Sequence, residues 1–259
     1  MEDAGSLGGR WKPLWEFRDS LAHPQKRFLR GKRMRANTNE PVRSPYRPVC
    51  DLLASRFGNN RWIVFSLRLW RLVILFSDLE FDHWILIEAN FRIVSYCEQP
   101  LRMRAKIAGA LVTTVPDMWL LFESGQEQFR EVKFRSQLTE PRVIRQLQAQ
   151  KTWCGIESTP HDVFDEYRIR RNPRYIRSWK FILRVLAATH KTNLHPICQK
   201  VSHLLRNGPL TLRHLEANCV GAERGLLRPA VFKMLHAGQV KAPLGSQEIT
   251  NDLPVELRQ

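Results

Sequence analysis

Pro116 and Asp117 are followed, after thirteen intervening residues, by Glu131, Val132 and Lys133. Two carboxylates and an ammonium at this spacing suit the metal-assisted hydrolysis of a phosphodiester. Carboxylate oxygens hold hard divalent cations, and a cation beside a water lowers that water's pKa toward neutrality, which supplies hydroxide. A β-hairpin would bring the three groups together. Asp117 would open one strand, the turn would fall near Ser124 and Gly125, and Glu131 and Lys133, two residues apart, would share one face of the returning strand. Without that chemistry, the same residues make an edge strand with solvated charges.

The elements that must carry these groups are legible in the apolar pattern. Residues 93–135 alternate and are broken by Gly109 and by the polar turn 123–126, so they read as a series of strands. Val132 and Phe134 continue the alternation of a half-buried strand around the Glu131 and Lys133 pair. Upstream, residues 79–89 place Leu79, Trp84, Leu86 and Ile87 among acids and read as a helix, with Ser77 or Asp78 as its N-cap. Residues 62–76 are densely apolar, but Arg68 and Arg71 interrupt them well short of the roughly 20 residues a membrane span needs, so they read as buried strand and helix. Pro141 opens a helix through Lys151, and residues 152–158 resemble a further short buried strand. The order of helix, strands, helix and strand is that of an α/β domain over residues 61–166.

The remainder is basic. The chain has 259 residues and a formal net charge of +16, with 41 Lys and Arg against 25 Asp and Glu, which points to a polyanion such as nucleic acid as partner. Residues 1–60 hold twelve basic against six acidic residues, including the run 26–35, and read either as a solvated arm or as an arm on DNA. The connecting segment 167–194 carries Arg168, Arg170, Arg171, Arg174, Arg177, Lys180 and Arg184 with no acid among them, which is a phosphate-facing helix or a solvated basic face. In residues 195–259, Pro196 opens a helix ended by Asn207, Gly208 and Pro209. Leu210, Leu212 and Leu215 make a second, Pro229 opens a third capped by Gly238, and a terminal hairpin follows. That order describes a winged helix-turn-helix, with a small helical bundle for protein contact as the alternative.

Other function classes lack their marks. Cys50, Cys97, Cys154, Cys198 and Cys219 are odd in number and have no C-x-x-C spacing, which argues against a disulfide framework or zinc site. The first thirteen residues contain two acids and no apolar run, so no secretory leader is expected. No phosphate-binding glycine loop, dinucleotide fingerprint or Gly-x-Ser-x-Gly elbow occurs. No histidines are spaced as a metal pair. His190, His195 and His203 read as helix-surface residues, and His83, although near Glu80, points elsewhere on its helix. Asp82 and Glu88 read as exposed helix faces, and Pro100 is expected to hold Gln99 extended, in a strand-positioning role.

The Asp117, Glu131 and Lys133 string has the form of the PD-(D/E)xK nuclease pattern. Residues 76–82, Phe-Ser-Asp-Leu-Glu-Phe-Asp, followed by Val94-Ser95-Tyr96-Cys97-Glu98-Gln99-Pro100, resemble the "ES-x-LE-x-D … V-x-x-Y-x-EQP" signature of the TnsA family, the endonuclease subunits of heteromeric transposases. The similarity is strongest over residues 70–140 and weaker through the C-terminal segment. It implies a restriction-endonuclease-like mixed sheet flanked by helices, followed by a winged helix. It also implies that Glu80 is the helix glutamate completing metal coordination, Asp117 the central metal ligand, Glu131 the second strand acid and Lys133 the catalytic lysine, with Val132 completing the ligand set. Some members carry glutamine where Glu131 stands. Here Phe76 replaces the Glu of the family's Glu-Ser, and the apolar stretch 65–76 replaces a polar loop.

By the same resemblance the cofactor is Mg²⁺, with Mn²⁺ as a substitute. The substrate is double-stranded DNA at transposon ends, and the partners are a DDE-type transposase and an AAA+ ATPase regulator. The expected place is the bacterial cytoplasm, at the nucleoid and without membrane contact. A stand-alone restriction or repair nuclease and a catalytically silent DNA-binding or scaffold subunit are the alternatives.

Overall fold

In the computed structural model of the chain, which describes residues 44–49 and 60–258, the alternation over 93–132 becomes a sheet whose two faces carry different cores. All described residues belong to the compact unit Glu40–Gln259. The expected N-terminal arm lies outside the described residues except at 44–49 and 60, as does Cys50.

The chain enters through a hairpin of β1 (Trp62–Ser66) and β2 (Arg71–Leu75), followed by α1 (Asp78–Ala89), β3 (Ile93–Glu98), β4 (Met103–Ile107), β5 (Ala110–Thr114), β6 (Met118–Phe122) and β7 (Glu127–Val132). A 3-10 turn at Arg135–Thr139 leads into α2 (Pro141–Ile156) and β8 (His161–Phe164). The central sheet is mixed, in the order β3-β6-β7-β8, with β7 and β8 parallel and the other pairs antiparallel. α2 is the crossover that the parallel pair requires. β4 and β5 form a separate hairpin turning on Ala108 and Gly109, both at positive φ, as a two-residue type I′ loop demands.

The period of two along each strand sorts side chains between two helices. Tyr96, Met118, Leu120 and Val132 face α1 and join its buried Leu79, Trp84, Ile85 and Ile87. Cys97, Trp119 and Phe129 face the other way and pack with Met103 and with Cys154 of α2. Tyr46 covers this second core, its ring centroid 5.2 Å from that of Trp119.

Two local expectations change. The segment 62–76 is a two-stranded hairpin rather than strand and helix. Residues 152–156, expected as a strand, continue α2, because Val143, Gln150 and Cys154 form one buried stripe at helical spacing. The strand lies later, at β8.

The α1-side core continues into the C-terminal part through α3 (Glu166–Ile169), α4 (Pro173–Ala188), α5 (His195–Leu204), β9 (Leu210–Thr211), α6 (Leu212–Ala217), α7 (Glu223–His236), β10 (Val240–Lys241) and β11 (Pro254–Leu257). β9, β10 and β11 form a three-stranded antiparallel sheet in the order β10-β11-β9. Pro229 lies inside α7 instead of opening it. Burial of Leu227, Ala230, Val231 and Met234 on one face offsets a helix defect of about 3 kcal/mol. Among the described residues no helix is long and apolar enough to cross a membrane. Cys97, Cys154, Cys198 and Cys219 are free.

Candidate active site

The register that sets Met118 opposite Arg130 brings Asp117 opposite Glu131 at the end of the β6–β7 pair. Asp117 Oδ2 accepts from the Val132 N–H at 2.7 Å and lies 4.0 Å from Lys133 Nζ. Lys133 Nζ donates to Glu131 Oε1 at 2.5 Å and to the Val132 carbonyl at 3.2 Å. The expected trio therefore converges, on the sheet face that α2 covers.

Glu80 arrives from the opposite layer. Ser77 caps α1, its Oγ accepting from the Glu80 N–H at 3.1 Å, while the Glu80 carboxylate reaches back to accept from the Phe76 N–H at 3.1 Å and from Ser77 Oγ at 3.2 Å. This is a variant of the capping box, in which the glutamate satisfies the N–H one residue before the cap. It pins Glu80 at the helix start, where Glu80, Asp117, Glu131, Val132 and Lys133 all line one cavity of about 800 Å³. The α2 residues Arg142, Arg145 and Gln146 line the same cavity.

The electrostatics are those of negative groups crowded out of water. Burial, then the charge of Asp117, pushes Glu80 up to about 7 and Glu131 up to about 8. Burial works against the Lys133 ammonium, but Asp117 and Glu131 outweigh it and hold its pKa above the ordinary lysine value. Lys133 is thus a resident cation between two acids.

A hard divalent cation fits the chemistry of this donor set: carboxylate oxygens, with the Val132 carbonyl beside them, whose mutual repulsion a positive ion relieves. The side chains are not a closed cage. Among the described residues no three His, Cys, Asp or Glu side chains stand as a preformed metal-binding cluster. Glu131 spends its oxygens locally, on Lys133 and Gln146 at Oε1 and on Gln150 at Oε2.

Several expectations are corrected here. Gln99 is not extended: its φ is +39°, a strained region for a non-glycine residue, and such strain concentrates at functional sites. Its main chain explains the twist, since its N–H donates to the Asp117 carbonyl at 3.0 Å and its carbonyl accepts from the Val49 N–H at 2.9 Å. Gln99 also lines the cavity. Glu98 makes a two-pronged pair with Arg71, both contacts at 2.6 Å, which ties β3 to β2. Glu88 is fully buried rather than exposed, because α1 is covered on both flanks, and Asp82 pairs with Arg170 at 2.7 Å. His83 is buried against Phe164, its pKa held well below the usual histidine value by burial and by Arg130 and Arg168, and it takes no part in the cavity.

Gln146 and Gln150 were invisible as site residues. One signal was present: a glutamine at position 150 interrupts the apolar stripe that runs from Val143 to Cys154. A buried polar residue in a core register needs partners, and here they are site groups.

Compared with known families, residues 90–166 match the family described as TnsA-like endonuclease N terminal. The match includes Asp117, Glu131 and Lys133 and begins after Glu80. No curated protein matches the chain. The part of the chain that holds Asp117, Glu131 and Lys133 is therefore similar to a TnsA-like endonuclease N-terminal domain, which suggests a nuclease related to transposase endonuclease subunits.

Proposed function

We propose that this protein is the DNA endonuclease subunit of a cut-and-paste transposase, and that it hydrolyses the 5′ strands at transposon ends while a DDE-type partner cuts the 3′ ends. The observation that carries the proposal is the meeting of Asp117, Glu131 and Lys133 in one cavity with Glu80, inside and beside the endonuclease match.

Mg²⁺, held by the carboxylates of Glu80, Asp117 and Glu131 and the carbonyl of Val132, would supply the charge that generates hydroxide and stabilises the leaving oxygen. The chain's own groups do the rest. Asp117, fixed by the Val132 N–H, lines the cavity. Lys133, kept charged by its two acids, donates to the attacking water or to the phosphate rather than taking a proton. Arg142 and Arg145 at the cavity wall, Arg171 just before α4, and Arg177 and Arg184 on the exposed side of α4 face the phosphate backbone. Products are a 5′-phosphate and a 3′-hydroxyl. The α5–α6–α7 helices with the β9–β10–β11 sheet read as a winged helix for DNA or for the transposase, and an AAA+ ATPase is a further partner.

One observation favours a second reading, that of a catalytically silent DNA-binding subunit: Glu80 closes a helix cap and Glu131 is saturated by internal donors. A single assay separates the two. The purified chain is mixed with its transposase partner, Mg²⁺ and DNA carrying the transposon ends, and 5′-strand cuts are mapped. Cleavage lost in Asp117→Ala supports the nuclease. Unchanged 5′ cleavage in that variant sinks it, and salt-sensitive, Mg²⁺-independent binding without cutting supports the silent subunit. Cutting without the partner identifies a stand-alone nuclease.

A further inference from the structure

Glu131 sits in a constellation that reaches well outside the expected motif. It is fully buried, and its two oxygens receive three donors: Lys133 Nζ at 2.5 Å and Gln146 Nε2 at 2.6 Å on Oε1, and Gln150 Nε2 at 2.8 Å on Oε2. The two glutamines are four residues apart on α2, so one helix face supplies both amides.

Gln150 is itself fully buried and has no spare freedom. Its Nε2 also lies 3.1 Å from Thr114 Oγ1 on β5, and its Oε1 is 2.9 Å from His161 Nε2 on β8. In the ionised form that a metal ligand requires, Glu131 can only accept, so the amide nitrogen must face it. The amide oxygen then faces the imidazole, and His161 must carry its proton on Nε2. The Glu131 end thus decides the orientation of the amide and, through it, the His161 tautomer, and β5, β7, β8 and α2 are tied to a single carboxylate.

We infer that Gln150, braced by His161 and Thr114, is the positioning residue that sets the Glu131 carboxylate for its role in the active site, with Gln146 as a second positioning residue on the cavity side. Gln150 is buried behind the cavity and does not line it. It restricts the rotation of Glu131 about its side-chain bonds, and it transmits the placement of the β4–β5 hairpin and of β8 to the acid. This inference rests on the nuclease reading above.

The test uses the full chain and two readouts, calorimetric titration with Mn²⁺ and the Mg²⁺ dependence of 5′-strand cleavage. Gln150→Met keeps length and volume and removes both donors. Loss of a group that orients a metal ligand typically costs about 10–100-fold in metal affinity. Gln150→Met is therefore expected to weaken Mn²⁺ binding by about tenfold or more, and to raise the Mg²⁺ needed for half-maximal cleavage by a similar factor, with a smaller fall in rate at saturating Mg²⁺. His161→Phe, which removes only the brace, is expected to move both in the same direction by less. In a Glu131→Gln background, Gln150→Met should have no further effect on Mn²⁺ binding.

Unchanged Mn²⁺ binding and Mg²⁺ dependence in a folded Gln150→Met chain, while Asp117→Ala abolishes both, overturns the inference and leaves the nuclease reading intact. A full Gln150→Met effect that persists in the Glu131→Gln background also overturns it, because the residue then acts by another route. Should Asp117→Ala bind Mn²⁺ and cleave like wild type, both fall together. Gln146→Met, at a partly exposed position, gives the same comparison if Gln150→Met does not fold.

Discussion

Two glutamates, Glu88 at the end of α1 and Glu131 at the end of β7, are both fully buried, and the protein treats them in opposite ways. Glu88 Oε1 accepts from Ser66 Oγ at 2.6 Å and from Tyr96 OH at 2.7 Å, while Tyr96 OH in turn accepts from Trp84 Nε1 at 2.6 Å. Its Oε2 lies 2.7 Å from His236 Nε2 on α7. Burial pushes the Glu88 carboxyl up, but His236, Arg68 and Ser66 outweigh it and hold its pKa below the ordinary value. Glu131 has as many donors, yet burial and the charge of Asp117 push it up to about 8. Desolvation is common to both. The sign of the neighbours decides the outcome, so Glu88 is a satisfied joint between α1 and α7, and Glu131 belongs to a site that keeps like charges together at a cost in stability.

The comparison can be broken most severely at Asp117. Asp117→Asn keeps an acceptor for the Val132 N–H and removes the charge that both Glu80 and Glu131 feel. A metal contributes several kcal/mol of transition-state stabilisation, so 5′ cleavage is expected to fall on the order of 10³-fold, read on end-labelled transposon DNA. The Glu88 side should keep its stability contribution unaltered.

Next in size is the joint itself. His236→Ala leaves a buried carboxylate short of its partner, a loss of about 3 kcal/mol, measured as a lower midpoint in urea. The corresponding loss of a partner at the cleft, Gln146→Ala, should affect stability less, because Lys133 and Gln150 still hold Glu131.

The two acids also predict opposite pH profiles. Glu131 is raised on folding, so its contribution is fully present below about pH 4.5 and is lost as the pH rises toward about 8. The difference in Tm between Glu131→Gln and wild type should therefore shift in favour of the variant across that window. Glu88 is lowered, so its contribution is present above the ordinary carboxylate pKa and is lost as the pH falls through its folded value. Glu88→Gln should lose most relative to wild type near neutrality and less in acid. Matching profiles for the two variants would show that the sign of the neighbours does not separate these sites.

The smallest effect is expected between the two, at Asp82 midway along α1. Its pair with Arg170 is half-exposed on the arginine side, so Arg170→Ala should change stability by less than about 1 kcal/mol. A larger loss in thermal unfolding would mean that the surface pair helps to seat α1.

What was legible follows from local physics. The strands β3 to β7 show in short apolar or alternating runs parted by turns, most cleanly in β4, the turn at Gly109 in a position that favours positive φ, and the start of α1 in a serine followed three residues later by a glutamate. Asp117, Glu131 and Lys133 were legible because a hairpin makes their meeting a matter of register. The errors share another cause. Residues 152–156 contain the β-branched and aromatic types that favour strands, but Cys154 and Trp153 pack against the far side of the sheet, where only a continued helix delivers them. Pro229 reads as a helix start until the burial of Leu227 is known.

The sequence by itself determined the types of group in the site, their order along the chain and the two periodicities that sort them, because alternation, capping and turn chemistry act over a few residues. Tertiary structure alone decided which acids meet which charges. Glu88 found His236 across 148 positions of chain, and Glu131 found Gln146 and Gln150 on a crossover helix. Hydrogen bonding and desolvation depend on distances in space, which no short stretch of sequence specifies.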